Sequence, residues 1–150
     1  MMKSKRKILI IFGVFVFLAF IGFLLCTPIR QNEKLRSLEN EVANLSLPAD
    51  IEQVAIKSAI GDSGGNGDYS TLRVVLAVKT ELDKTELNET IKNMGLSFSK
   101  HYQNSDSIPI FYVTHCENST FQSSRDFTLV FDELKTISDY SKYYFIEFVE

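Results

Sequence analysis

An uncharged apolar run near the N-terminus constrains the chain more than any other feature. Residues 8–26 contain no charged side chain and are rich in Phe, Ile, Leu and Val. As an α-helix at about 1.5 Å per residue, this run spans about 28 Å, close to the roughly 30 Å hydrocarbon core of a bilayer. Lipid can cover such a helix on all sides, whereas water cannot. The run therefore predicts a transmembrane helix over residues 8–26, with the lipid bilayer as its partner.

The charges on either side of this run predict its orientation. Residues 1–7 contain four basic residues and no acidic ones, whereas the basic residues that follow the run are interspersed with Glu33, Glu39 and Glu41. Cytoplasmic flanks of transmembrane helices carry the excess of Lys and Arg. We therefore expect a cytoplasmic basic tail over residues 1–7, an anchor in the plasma membrane, and residues 27–150 outside.

Two kinds of processing are alternatives to a permanent anchor. A cleaved signal peptide has an apolar region of about 7–15 residues followed by a small-residue cleavage site. Residues 8–26 exceed that length, and no such site follows. Lipoprotein processing at Cys26 needs small residues before the cysteine, but Phe23, Leu24 and Leu25 are bulky. The sequence favours an uncleaved anchor.

The charge of the chain is divided between the two sides of this anchor. The whole chain of 150 residues has a net charge of −3, which argues against nucleic acid as a partner. Residues 27–150 hold 12 basic and 19 acidic residues, so their net charge is −7. They also contain a single cysteine, Cys116, which excludes a disulfide within the external part. We expect Cys116 to be a buried apolar residue.

The spacing of apolar residues within 27–47 predicts a juxtamembrane helix or stalk over this range. Leu35, Leu38, Val42 and Leu45 follow a 3-4-3 spacing, which places them on one face of a helix. The stripe covers only about one and a half heptads, too few for an independent coiled coil. We expect it to extend outward as a stalk or to pack on the following domain. A weak homodimer contact is the alternative.

The pattern over residues 48–150 predicts one α+β domain with a small, mainly antiparallel sheet. Alternating apolar residues over 51–60 and 69–79 flank a Gly-, Asn- and Asp-rich turn over 61–68, which is typical of a β-hairpin. In the first of these strands, Val54, Ile56 and Ile60 are expected to share a face. Asp83 and Glu86 then form a capping box for a helix over 84–94.

Three later segments complete the predicted sheet. Residues 108–116 are typical of a strand, with Pro109 at its start or at a sheet edge. Residues 127–134 fit both a strand and a helix, and their aromatic and β-branched residues favour the strand. Residues 143–149 are apolar on both faces, which predicts a central strand. The C-terminus is therefore expected to belong to the core.

The turn over 61–68 contains the residues most suggestive of a site. Gly61 to Gly65 matches the nucleophile segment of chymotrypsin-like proteases, but both histidines follow the serine and the domain is too short for that fold. Oxygen ligands in this turn make it a candidate calcium site, although Gly64 and Arg73 break the EF-hand pattern. We expect an exposed contact loop, with no catalytic or cofactor-binding residue assigned. Its candidate metal ligands are Asp62, Asn66 and Asp68, and its candidate contact residues are Asp62, Ser63, Asn66 and Asp68.

The remaining residues of metal-binding type do not form a zinc motif. His101 is distant in sequence from His115 and Cys116, and no pair has the short fixed spacing of a zinc site. Neighbouring residues on a strand point to opposite faces, so His115 and Cys116 are not expected to converge.

Several short motifs lie between residues 61 and 94: Gly65-Asn66-Gly67, the strand ending Val78-Lys79-Thr80, and Leu82, Glu86 and Leu87, with the Tyr143-Tyr144 pair near the end. Together they resemble those of a family of small, uncharacterised, membrane-anchored or secreted proteins of low-GC Gram-positive bacteria. That family has no established activity, so the resemblance implies a location and a fold. The expected function is a non-enzymatic, extracytoplasmic binding or accessory module. A subunit of a membrane complex, contacting partners through residues 8–45, and a small enzyme using Asp62, Asp68 or His115 are the alternatives.

Overall fold

The computed structural model describes the backbone of residues 2–62, 70–94, 110–123 and 127–149, and the side chains of these residues except 2–11, 23–28, 62, 70 and 110. The chain forms two compact units, Met1–Lys34 and Leu35–Glu150. The elements in chain order are α1 (Met2–Ala43), β1 (Ile51–Asp62), β2 (Ser70–Thr80), α2 (Lys84–Asn93), β3 (Ile110–His115), β4 (Thr120–Gln122), β5 (Thr128–Val130), a 3₁₀ helix (Asp132–Leu134) and β6 (Tyr143–Val149).

The first unit consists of the N-terminal part of α1. No helix in the described part of the chain offers a stretch that is long and apolar enough to cross a membrane. The transmembrane helix expected over residues 8–26 is therefore not among the observed features.

The second unit is the expected α+β domain. Its main sheet has four antiparallel strands in the order β1-β2-β6-β3, and β4 pairs with β5 in a separate two-stranded sheet. The hairpin of β1 and β2 is confirmed, with its turn outside the described residues. The expected helix is confirmed as α2, whose capping box joins Asp83 and Glu86 in both directions.

A β-bulge in β1 overturns one detail of the expected pattern. Gln53 pairs with Val78 and Ala55 with Ala77, which leaves Val54 as the extra residue. Because a bulge shifts the alternation of side chains by one position, Val54 and Ile56 lie on opposite faces of the sheet. The prediction that Val54, Ile56 and Ile60 share one face was therefore wrong.

The C-terminal strand β6 lies inside the sheet, as its two apolar faces predicted. It pairs with β2 on one side and with β3 on the other, and Tyr144 to Phe148 are all buried. The side chains of β6 alternate between two apolar clusters, one on each face of the sheet. We call these the helix-side core and the strap-side core.

The helix-side core is covered by the end of α1 and by α2. Leu38 and Val42 are 2% and 0% exposed in this core, and Leu35 and Leu45 pack against it. Ser58 Oγ on β1 also donates to Glu39 Oε2 at 2.8 Å. The apolar stripe of the predicted stalk therefore packs on its own domain.

The strap-side core is covered by the connection between β3 and β6. This strap, residues 116–142, leaves the sheet at β3 and returns to it at the neighbouring strand β6. It contains β4, β5 and the 3₁₀ helix. Residues 127–134 combine a short strand with the 3₁₀ helix, so the strand prediction is correct only for residues 128–130. Among the described residues of the strap, the buried side chains in this core are Cys116, Phe121, Phe131 and Leu134.

Candidate functional site

The loop predicted as a contact or calcium-binding surface is only partly described. Asp62 is the last residue of β1, and Ser63, Asn66 and Asp68 lie outside the described residues. Among the residues that the structure describes, no group of three or more His, Cys, Asp or Glu side chains could hold a metal ion. The contact surface at this loop stays a prediction.

His115 and Cys116 diverge, as their adjacent positions predicted. The His115 ring packs edge-on against Tyr144 at 5.1 Å between centroids, whereas Cys116 is buried in the strap-side core. Burial raises the pKa of the Cys116 thiol from 9.0 to about 12. The thiol is therefore protonated at neutral pH, which makes it a weak nucleophile and a poor metal ligand. His101 lies outside the described residues.

A histidine, a serine and an aspartate meet at the end of the strap. His115 Nε2 lies 3.3 Å from the backbone oxygen of Ser141. The backbone N–H of Ser141 donates to Asp139 Oδ1 at 2.9 Å, and hydrogen bonds from Ser141 lower the pKa of the Asp139 carboxyl. In a catalytic triad the histidine bonds the serine hydroxyl and the acid bonds the histidine. In this arrangement the histidine contacts a carbonyl and the acid contacts the serine, so the serine is not activated.

The most unusual polar arrangement in the described residues is a buried ion pair that the sequence did not reveal. Arg73 on β2 donates from Nη1 to Glu147 Oε1 on β6 at 2.5 Å and to Ser123 Oγ at 2.8 Å. The side chains of Arg73 and Glu147 are only 8% and 10% exposed. Buried charges are rare in proteins unless they are paired, as these two are.

The surroundings of Arg73 leave its hydrogen-bonding capacity partly unused. Its guanidinium lies over the Phe127 ring at 5.5 Å, and its stem passes close to Gly61 on β1. Arg73 Nε is buried and makes no hydrogen bond within the described structure. Because the Arg73 side chain is only 8% exposed, it presents little of its charge to a ligand. The cluster is thus suited to shaping the fold rather than to binding.

One feature of the sequence is consistent with this pair. Arg73 is the only charged residue of the buried run 72–78, and Glu147 is the only charged residue of β6. Single opposite charges in two apolar strands are candidates for pairing across a sheet.

A second unusual feature is an exposed apolar surface on α1. Between residues 12 and 20 of α1, large apolar side chains are each 50–70% exposed. Soluble proteins rarely expose contiguous apolar surface of this kind. We call this the apolar helix surface, and its members are Phe12, Val14, Phe15, Val16, Phe17, Leu18 and Phe20.

Comparison of the chain with protein-family models, with curated proteins and with solved structures gives no match. The resemblance to small proteins of Gram-positive bacteria therefore stays a prediction, and the functional argument depends on this chain's own residues.

Proposed function

We propose that the protein is a single-pass membrane protein whose C-terminal α+β domain works outside the plasma membrane as a binding or accessory module. The observation that carries the proposal is the apolar helix surface, which lies within the uncharged run 8–26. Lipid would cover these side chains on every side of the helix, so their apolar area would not be exposed to water. The basic residues of 1–7 support a cytoplasmic N-terminus.

The polar clusters of the domain support a non-enzymatic role. Arg73, Glu147 and Ser123 bond to one another in the interior, and His115 contacts a backbone carbonyl. Catalysis needs a nucleophile or a base that is free to meet a substrate. The charge of −7 on residues 27–150 favours solubility of the domain and disfavours docking on anionic lipid.

The anchor can be tested by adding charge to the apolar helix surface. We expect the full-length chain to stay in the membrane pellet at alkaline pH, and the double variant Val16→Lys/Phe20→Lys to be released. A lysine at the centre of a transmembrane helix costs about 2.5–3.5 kcal/mol. The matched control is Asn32→Lys/Asn40→Lys, which adds the same charge at exposed polar positions of the same helix. Release of the wild-type chain would refute the anchor.

The orientation has its own test, based on labelling of single cysteines. Lys92 is exposed near the end of α2, so Lys92→Cys in a Cys26→Ser background provides a reactive thiol on the domain. We expect a membrane-impermeant maleimide to label it in intact cells. Ser4→Cys in the same background should be labelled only after permeabilisation. The reverse pattern would place the domain in the cytoplasm.

The binding role is testable through the predicted contact loop. Crosslinking in intact cells, followed by purification of the tagged full-length chain, should capture a protein partner. We expect Asp62→Ala/Asp68→Ala to lose that partner. Glu117→Ala/Glu133→Ala removes two exposed acidic residues elsewhere on the domain and should retain it. Equal capture by both variants would exclude the loop as the contact surface.

A subunit of a membrane complex is the second candidate, and the apolar helix surface also favours it. Residues 35–45 are used within the domain, so contacts with such a complex would involve the earlier part of α1. Co-purification of an integral membrane protein in mild detergent, lost in Val16→Lys/Phe20→Lys, would favour this candidate over a simple anchor.

A further inference from the structure

The C-terminal strand has an apolar pattern that fits more than one position in the sheet. Tyr144, Ile146 and Phe148 point into the helix-side core, while Tyr143 and Phe145 belong to the strap-side core. Side chains alternate with a period of two, so a shift of two residues along β2 places apolar residues against apolar residues again. A shift of one residue turns each face of β6 to the opposite side of the sheet, and both faces of β6 are apolar. The apolar residues of β6 therefore do not select one register.

Charged side chains disfavour both of the registers that are shifted by two residues, and a different side chain does so in each direction. In the observed register Arg73 pairs with Val149 and Val75 with Glu147, so the two charges are diagonal neighbours on one face. A shift of two residues in one direction would place Lys142 opposite Val78, and a lysine would enter the helix-side core. The opposite shift keeps Lys142 beyond the end of β2, but it carries Glu147 away from Arg73 to a position opposite Ala77.

We propose that the Arg73–Glu147 ion pair is a register key, which selects the position at which β6 enters the sheet between β2 and β3. In the shift that places Glu147 opposite Ala77, both charges would be buried without each other, which is strongly unfavourable. A shift of one residue would turn Glu147 into the helix-side core, which is equally unfavourable. The shift that places Lys142 opposite Val78 would put Glu147 opposite Arg73 and keep the pair, so that register is disfavoured by the burial of Lys142 alone. In the observed register the two charges meet and Lys142 stays exposed at the end of the strand.

The geometry favours this role over a contribution to stability. A buried ion pair loses much of its attraction to the cost of removing both charges from water. Arg73 Nε adds to that cost, because it is buried without a partner in the described structure. Ser123 and Phe127 meet the same guanidinium from the strap, so the key also aligns the strap with the sheet.

Cysteine pairs across β2 and β6 can read the register directly. In the observed register Lys79 lies opposite Tyr143, so Lys79→Cys/Tyr143→Cys reports the native position. In the shifted register Tyr143 would lie opposite Glu81, so Glu81→Cys/Tyr143→Cys reports the shift. Both pairs are placed in the full-length chain in mild detergent, with Cys26→Ser and Cys116→Ala, and are oxidised gently.

Each cysteine pair is combined with three versions of the residue pair at positions 73 and 147. With Arg73 and Glu147 present, we expect only the native crosslink. The apolar variant Arg73→Met/Glu147→Leu should raise the yield of the shifted crosslink severalfold at the expense of the native one. The exchanged variant Arg73→Glu/Glu147→Arg should restore the native crosslink.

The proposal is overturned if the apolar variant gives the native crosslink alone, at an unchanged yield. If that variant forms neither crosslink, Glu147→Gln replaces it, since it removes the charge and keeps the size of the side chain. A shifted crosslink in Glu147→Gln supports the register key, and the native crosslink alone refutes it. A purely stabilising pair would lower the melting temperature in these variants without producing the shifted crosslink.

Discussion

Two ion pairs in this protein have the same separation and very different surroundings. Arg73 Nη1 and Glu147 Oε1 are 2.5 Å apart in the interior, and Lys142 Nζ and Glu81 Oε1 are 2.5 Å apart at the surface. The hydrogen bond and the charge of Glu81 raise the pKa of Lys142. The buried charges depend on each other, because they have little contact with water, whereas the exposed ones are solvated whether or not they pair.

Breaking the buried pair should therefore destabilise the domain far more than breaking the exposed one. We expect Glu147→Leu to lower the free energy of unfolding by about 3–5 kcal/mol, because it leaves the Arg73 charge buried and unpaired. Lys142→Met, the matched control, should have a much smaller effect. Thermal unfolding of the full-length chain in mild detergent, followed by circular dichroism, measures both. Similar losses for the two variants would contradict the burial of Arg73.

The thiol of Cys116 provides a test of the strap-side core. Its pKa of about 12 and its burial predict that iodoacetamide does not modify it in the folded chain at pH 8, in a Cys26→Ser background. Denaturant should make it reactive. The folded state disfavours the thiolate, so the unfolded state releases its proton first. Stability should therefore fall as the pH rises from about 9 towards 12. Rapid modification without denaturant would contradict the burial.

At the scale of elements, α2 shows how a short sequence signal becomes a stable helix. Asp83 Oδ1 accepts from the backbone N–H groups of Thr85 and Glu86 at 2.7 and 2.9 Å, and Glu86 Oε2 accepts from the Asp83 N–H. These bonds satisfy groups that the first turn of a helix leaves without partners. Leu87 and Ile91 then attach the helix to the helix-side core.

Removing the cap should cost less than removing the attachment. We expect Asp83→Ala to lower the free energy of unfolding by about 1 kcal/mol. Leu87→Ala should lower it by about 2–5 kcal/mol, since it leaves a cavity in the core. Glu89→Ala, at an exposed position of the same helix, serves as the control. The prediction fails if Asp83→Ala matches Leu87→Ala in thermal unfolding.

The end of α1 belongs to the folded domain and is not a free stalk. Leu38 is 2% exposed, and it lies in the same core as residues of β2 and β6. We expect Leu38→Ala to lower the free energy of unfolding by about 2–5 kcal/mol, and Arg36→Ala, at an exposed position two residues earlier, to have little effect. Denaturation of the two variants in parallel measures this difference. Equal stabilities would indicate that the stripe does not pack on the domain.

At the scale of the whole molecule, the last strand completes the sheet. β6 pairs with β2 and β3 and contributes side chains to both cores, so the strands on either side of it meet only through it. A chain without β6 loses both sets of pairings together. The domain is thus expected to fold only when its C-terminal residues are present.

Deletion of residues 143–150 should abolish the cooperative unfolding transition. Deletion of Glu150 alone serves as the control and should leave the transition in place. Circular dichroism during heating and limited proteolysis of the full-length and shortened chains measure the outcome. A cooperative transition in the chain ending at residue 142 would mean that β1, β2 and β3 form a stable unit by themselves.

The local patterns of the sequence determined much of this fold by themselves. The alternation in β1 and β2 predicted the hairpin, Asp83 and Glu86 predicted the start of α2, and the apolar faces of β6 predicted a central strand. Each of these signals lies within a few residues, where backbone periodicity and capping act. The charge asymmetry around residues 8–26, on which the proposed anchor depends, is also a local signal of the sequence.

The tertiary structure alone decided which of these surfaces are used inside the molecule. The stripe of α1 predicted a stalk or a helix packed on the domain, with a weak homodimer as the alternative, and contact with the sheet shows the packed helix. Val54 changed faces because a bulge shifts the alternation, and Arg73 entered the interior because β6 brings Glu147 beside it. Burial and strand order depend on contacts between residues far apart in sequence, and no local pattern carries that information.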